Sequence, residues 1–295
     1  MVKIPMKYTI IFLMLIGIGT VLQGSVFDDE SKVNRIHLEF VIDEPYFIAH
    51  LLINTNLQKF SSEKYVEDLQ AFKEHMTQIA DKEVQTLMEY CRADWKYNDG
   101  RFYYSIHPDE LKLPEMESLV AKAKQSAEYD KLLNQTIEYL DLCKRQWLDN
   151  YDTTAERVKA ITGFSLQRKI TVYISHPGLH TGRCLGDRKI AWGNREDFPN
   201  YTTIYLWHEI LHTYFEFDHG INHSLIQFIA DNELRTLLNG GTYPLYVGHK
   251  DLFETMELIQ PYWEEYLQSS HRDILRFAEQ LKQELNIASL PHISK

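Results

Sequence analysis

Residues 206–241 read LWHEILHTYFEFDHGINHSLIQFIADNELRTLLNGG. His208 and His212 stand four apart, Glu209 directly follows the first, and Glu233 comes twenty residues after the second. Four residues span about one helical turn, so both imidazoles leave the same face. That face also carries Ile204, Leu211 and Phe215. Imidazoles on an apolar stripe need polar partners. At this spacing two neutral rings can each turn a nitrogen toward one zinc ion. Glu209 would reach the open side of such an ion and accept a proton from bound water. Glu233 shares a helical stripe with Ile226, Ile229 and Leu237. A carboxylate there is costly unless a positive charge meets it, and zinc or an arginine would serve.

The flanking sequence places these residues on two consecutive helices behind a small sheet. Pro199–Asn200 precedes a helix expected to start near Tyr201, and Asn239-Gly240-Gly241 stops the second. Upstream, KITVYISHPG and RKIAWGN read as β-branched or short strands, and NRIHLEFVIDEPYF alternates as a strand does. Residues 63–91 carry Tyr65, Leu69, Phe72, Met76 and Ile79 at helical spacing, and the helical period returns from Pro114 to about Trp147. Asn98-Asp99-Gly100 between aromatic runs signals a hairpin. Beyond His249 the pattern is helical, with Pro261 as an expected break. The fold expected is α+β, mainly helical, with a small sheet preceding a two-helix site. The character of the chain changes between about 150 and 163. The expected organisation is therefore an N-terminal segment 1–24, a mostly helical region 25–155 and a site-bearing region 156–295.

The whole chain has 295 residues, 44% of them hydrophobic and 25% charged, which suffices for a full core. A formal net charge of -11 argues against nucleic acid or an anionic lipid surface as the main partner. Lys3 and Lys7, the apolar run Tyr8–Leu22 and the small residues Gly24–Ser25 have the layout of an export signal. Export is the expected localisation, with secretion and an N-terminal membrane anchor both open. Cys91, Cys143 and Cys184 form no C-x-x-C pair, so a thiolate zinc site is not indicated. One disulfide or three free thiols are both allowed.

The spacing His208-Glu209-x-x-His212, then Asn232-Glu233 on a second helix, resembles the gluzincin zinc metallopeptidases. The resemblance covers residues 208–238 and no G-x-M-E-N motif stands upstream. It implies one zinc per chain held by His208, His212 and Glu233, Glu209 as general base, and a peptide or protein substrate. It also implies a Tyr or His that steadies the oxyanion. Tyr243, Tyr246 and His249 lie downstream, with Tyr246 and His249 preferred, and His176, His180 and Arg183 lie upstream. Metzincins resemble H-E-x-x-H-x-x-G-x-x-H/D, which would make Asp218 the third ligand, but Phe215 holds the glycine position. His219 and His223 are further candidate ligands, with loop or helix-start histidines as the preferred reading. Asp231 and Arg235, four apart, read as a surface pair. KIAWGN is a candidate edge strand for an extended substrate. The competing class is a non-catalytic, zinc-stabilised binding protein at the cell surface.

Overall fold

Leu38 and Phe40 turn inward from strand β1 (His37–Val41), as the alternation predicts. The computed structural model describes residues 35–53, 63–92, 96–98, 101–103, 107–216, 220–242, 249–270 and 272–285. The export signal expected over 1–24 lies outside them. Among the described residues no helix is long and apolar enough to cross a membrane.

The chain is α+β and mainly helical. After β1 come α1 (Glu44–Ile53) and α2 (Glu63–Arg92). The hairpin follows as β2 (Lys96–Asn98) and β3 (Arg101–Tyr103), with Asn98 facing Arg101. Next are α3 (Pro114–Ala123) and α4 (Ala127–Thr162). The helical stretch expected after Pro114 is therefore two helices. Ser126 separates them, its hydroxyl accepting from the Tyr129 amide at 3.1 Å as an N-cap. Helix α4 runs on through 150–155 and stops at Gly163, whose φ of 74° suits glycine.

Helix α2 kinks at Ala80 (φ −145°). Its buried row is Leu69, Phe72, Met76, Ala80, Val84 and Leu87, whereas Ile79, expected on that face, is exposed. The kink rotates the second half so that Ala80 takes the inward place.

Strands β4 (Lys169–Ile174), β5 (Thr181–Gly186) and β6 (Lys189–Gly193) join β1 in a four-stranded sheet of order β1-β4-β6-β5. β1, β4 and β6 are mutually parallel and β5 is antiparallel to β6. The β5–β6 turn places Asp187 and Arg188 both at positive φ, the geometry of a tight type I′ hairpin. KIAWGN is thus an inner strand, and the edge is the TGRCLG segment, whose glycines hid it from a propensity reading. Pairing of β1 with β4 ties the two ends of the long helical crossover into one hydrophobic cluster.

Two consecutive helical stretches follow the sheet. α5 (Tyr201–Leu211) carries the opening motif. α6 (Ile221–Gln227) continues through a π-helical turn, Phe228–Leu234, into α7 (Arg235–Asn239). Helices α8 (Phe253–Gln268) and α9 (Ile274–Glu284) close the described chain. α8 passes through Pro261 rather than breaking there, because Met256, Ile259, Trp263 and Tyr266 bury one continuous face. Packing outweighs the one backbone hydrogen bond that the proline removes.

Candidate metal centre

Helix α5 is held firmly before it presents any polar group. Trp207 packs against Trp147 and Tyr151 of α4 at centroid distances of 5.2 and 6.1 Å. Its indole N–H donates to Thr154 Oγ1 at 2.7 Å. At the N-terminus the Thr203 amide donates to Gln146 Oε1 at 2.7 Å and the Thr202 amide to Glu196 Oε2 at 3.3 Å. Side chains from outside the helix thus satisfy two amides that have no intrahelical acceptor. Trp192 of β6 meets Tyr201, so the helix also rests on the sheet.

From this platform His208 and His212 meet His223, which α6 brings in from the other side. One ligand atom from each of the three lies within 4.8 Å of the others. His208 Nε2 stands 3.2 Å from Nε2 of both His212 and His223. Two tetrahedral ligands bound to zinc at about 2.0–2.1 Å would be roughly 3.3 Å apart, so the spacing fits that ion. Hydrogen bonding alone does not account for it, since a single ring nitrogen carries at most one proton for two neighbours. Burial drives the His208 pKa well below the usual value, and the neighbouring histidines push in the same direction. The ring is therefore neutral, the form that ligates a metal.

Glu209, directly after His208 in the chain, is almost fully buried. Its Oε2 accepts from the Cys184 backbone N–H at 2.6 Å. Cys184 sits on the edge strand β5, immediately before a register shift against β6. Bulges of this kind re-aim strand groups near sites. Burial raises the Glu209 pKa to about 7, while the Cys184 amide and the charge of Arg183 oppose the rise.

Glu233, third in the set implied by the resemblance, is not part of the three-histidine group. Its buried carboxylate is bonded to Arg157 of α4. The positive charge it required is supplied by an arginine. The π-helical turn, with its i→i+5 bonding, shifts the helical phase of everything after it. Leu234 is buried while Leu237 is 43% exposed.

His223, read from sequence as a loop or helix-start residue, is buried in the cluster. The signal available was a second histidine on a buried helix start, Ile221-Asn222-His223-Ser224. What the sequence withheld was the direction of the preceding turn. His249 joins from the exposed side, its ring centroid 4.6 Å from His223 and 6.1 Å from His208. Tyr243, Tyr246, Asp218 and His219 lie outside the described residues.

His176 is structural. Its ring accepts from the Gly178 amide at 3.1 Å and bonds Gln135 at 2.9 Å. His180 starts the edge strand with a left-handed φ of 51°. Asp231 is no surface residue. It is fully buried, accepting from the Tyr205 hydroxyl at 2.7 Å and from Gln227. None of the three cysteines forms a disulfide. No protein-family model, curated protein or solved structure matches this chain.

Proposed function

We propose that the chain is an exported zinc-dependent peptidase whose metal is held by His208, His212 and His223. The observation that carries the reading is the three-imidazole cluster, whose first histidine is followed directly in the chain by a buried glutamate. A structural zinc site closes with four protein ligands, whereas three leave a position open. A zinc ion there would supply Lewis acidity, enough to bring the pKa of water near 7. The donor set departs from the His-His-Glu set implied by the resemblance, and Glu233 serves instead to anchor Arg157.

Glu209 has one oxygen, Oε2, engaged by the Cys184 amide, which fixes the carboxylate plane. Oε1 is left to take the proton of the attacking water and later return it to the leaving amine. A pKa near neutrality suits a group that must both accept and release. His249, half-exposed and against His223, is placed to donate to the developing oxyanion.

A second reading is a zinc-stabilised binding protein, and the nearness of His249 favours it, since a fourth imidazole could close the site. Two variants separate the readings. Glu209→Gln should keep about one zinc per chain while cleavage of a mixed peptide library, read by mass spectrometry, falls about 10²–10⁴-fold. His249→Ala should keep zinc and lose activity if the site is catalytic, and lose zinc if His249 is a structural ligand. Wild-type protein with zinc bound that cuts nothing in a broad library would sink the peptidase reading.

A further inference from the structure

A surface pocket of about 340 Å³ lies between the start of α5 and helix α7, lined by Phe198, Pro199, Arg235, Thr236 and Asn239 among others. That volume lies within the range of small-ligand sites. The Arg235 guanidinium lies over the Phe198 ring in its wall, with Cζ 4.0 Å from the ring centroid. Arg235 Nη1 is buried and has no acceptor among the described residues, and the same holds for Thr236 Oγ1. An N–H of a charged group removed from water without an acceptor is costly, so the pocket is built to receive one. Asp231, the acid one turn before, does not fill that place. Both its oxygens are engaged elsewhere, by Tyr205 and Gln227.

The pocket is connected to the metal centre by one face of α5. Phe198, Tyr201 and Tyr205 form a row of ring contacts, 5.0 Å and then 4.5 Å between centroids. Tyr205 continues the row to His208 at 6.1 Å. All three aromatic residues are half-buried, so the row is open along part of its length. Tyr201 to His208 is seven residues, roughly 10 Å of helix, and the pocket lies one ring contact further on, at Phe198. An extended peptide covers the whole span in about four residues.

We propose that this pocket is a carboxylate subsite of the peptidase, holding a substrate carboxylate about four residues from the bond that is cut. The identity of the ligand rests on the peptidase reading above. One guanidinium and one hydroxyl match the single charge and two oxygens of a carboxylate, and a flat guanidinium can meet both oxygens at once. A peptide's C-terminus and an acidic side chain both supply such a carboxylate, and the test distinguishes them.

Zinc-loaded Glu209→Gln protein, which holds peptides without turning them over, is titrated calorimetrically with four probes. These are N-acetyl-tetra-alanine as free acid, the same peptide as C-terminal amide, and amidated N-acetyl-Ala-Ala-Ala-Glu and N-acetyl-Ala-Ala-Ala-Gln. A charge-assisted contact predicts about tenfold tighter binding of a carboxylate probe than of its neutral counterpart. A C-terminal site gives the preference in the acid–amide pair, a side-chain site in the Glu–Gln pair. Arg235→Gln should abolish the preference with zinc content unchanged, and Arg235→Lys should restore part of it. Thr236→Val, which removes only a hydroxyl, should weaken it and tests the pocket should Arg235→Gln fail to fold. Equal binding within both pairs, or a preference that survives these substitutions, overturns the proposal. Wild-type turnover is read separately. A chain that cuts no library peptide yet keeps the Arg235-dependent preference retains the pocket and loses the peptidase reading.

Discussion

Asp231→Asn tests the burial of the polar cluster that packs behind α5. Asp231 is fully buried, and burial raises its pKa from 3.8 to about 7, with the Tyr205 hydrogen bond and the charge of Arg235 opposing. The sign follows from proton uptake. Below pH 3.8 the group is protonated in both folded and unfolded chains and has no effect on the balance. Between 3.8 and about 7 the folded chain binds the proton that the unfolded chain has released, so stability falls as pH rises. Each pH unit in that window is worth about 1.4 kcal/mol, and the whole window about 4 kcal/mol. Above 7 the loss is complete and constant. Asparagine has the same shape and no charge. Tyr205 can still donate to its oxygen, and the unpartnered buried Oε1 of Gln227 can accept from its amide once the Gln227 amide turns. Urea denaturation of both proteins, with chelator present and pH stepped from 4.5 to 7.5, gives the difference directly. The variant should gain on the wild type by roughly 1.4 kcal/mol per unit up to about pH 7 and hold level beyond. Parallel stability profiles across that range would refute the burial argument.

Other substitutions address the neighbouring claims. His223→Ala should strip most of the zinc measured by metal analysis of purified protein. Glu233→Gln should keep the zinc but lower stability by about 1–3 kcal/mol in denaturant melts, because Arg157 loses its charged acceptor. The opposite pattern would restore Glu233 as ligand. Gly193→Ala should destabilise the sheet by about 1–3 kcal/mol, since a Cβ there runs into Ser175 Oγ and lies 2.9 Å from the Ser175 carbonyl oxygen. Adding Ser175→Ala should recover only part of that loss, and full recovery would show that the backbone oxygens do not matter.

The elements were legible wherever one periodicity held along a segment. The alternation in β1, the β-branched run of β4 and the Asn98-Asp99-Gly100 turn each specify local geometry without help from the rest of the chain. The same is true of His208 and His212, because an i,i+4 pair on an apolar helix converges whatever surrounds it. Legibility failed where packing decided. Ile79 lost its inward place to a kink, Pro261 failed to stop a helix with a strong buried face, and the edge strand β5 contains two glycines and an arginine. That edge strand is paired in the hairpin by its tight turn rather than by its own strand propensity, and it carries the amide that holds Glu209.

The third member of the histidine cluster shows the limit most sharply. A buried carboxylate such as Glu233 needs a positive charge, and in this fold Arg157 supplies one. Arg157 lies 76 residues earlier in the chain, and no local pattern joins the two. The helical phase that placed Glu233 beside Ile229 and Leu237 also assumed 3.6 residues per turn across a segment that turns more slowly. His223 lies before that π-helical turn, where ordinary helical phase still holds, and its ring reaches His208 directly. The turn matters to the site in another way. By re-phasing the helix it buries Asp231, Asn232 and Glu233 together, so three consecutive polar side chains must find partners inside. Tyr205 and Gln227 take the first, Arg157 takes the third, and Arg235 one turn later is left over an aromatic ring at the mouth of a pocket. A segment of irregular helix thus ties the helix that carries His208 and His212 to the long helix α4, and leaves Arg235 in the wall of the pocket at the far end of the same aromatic row.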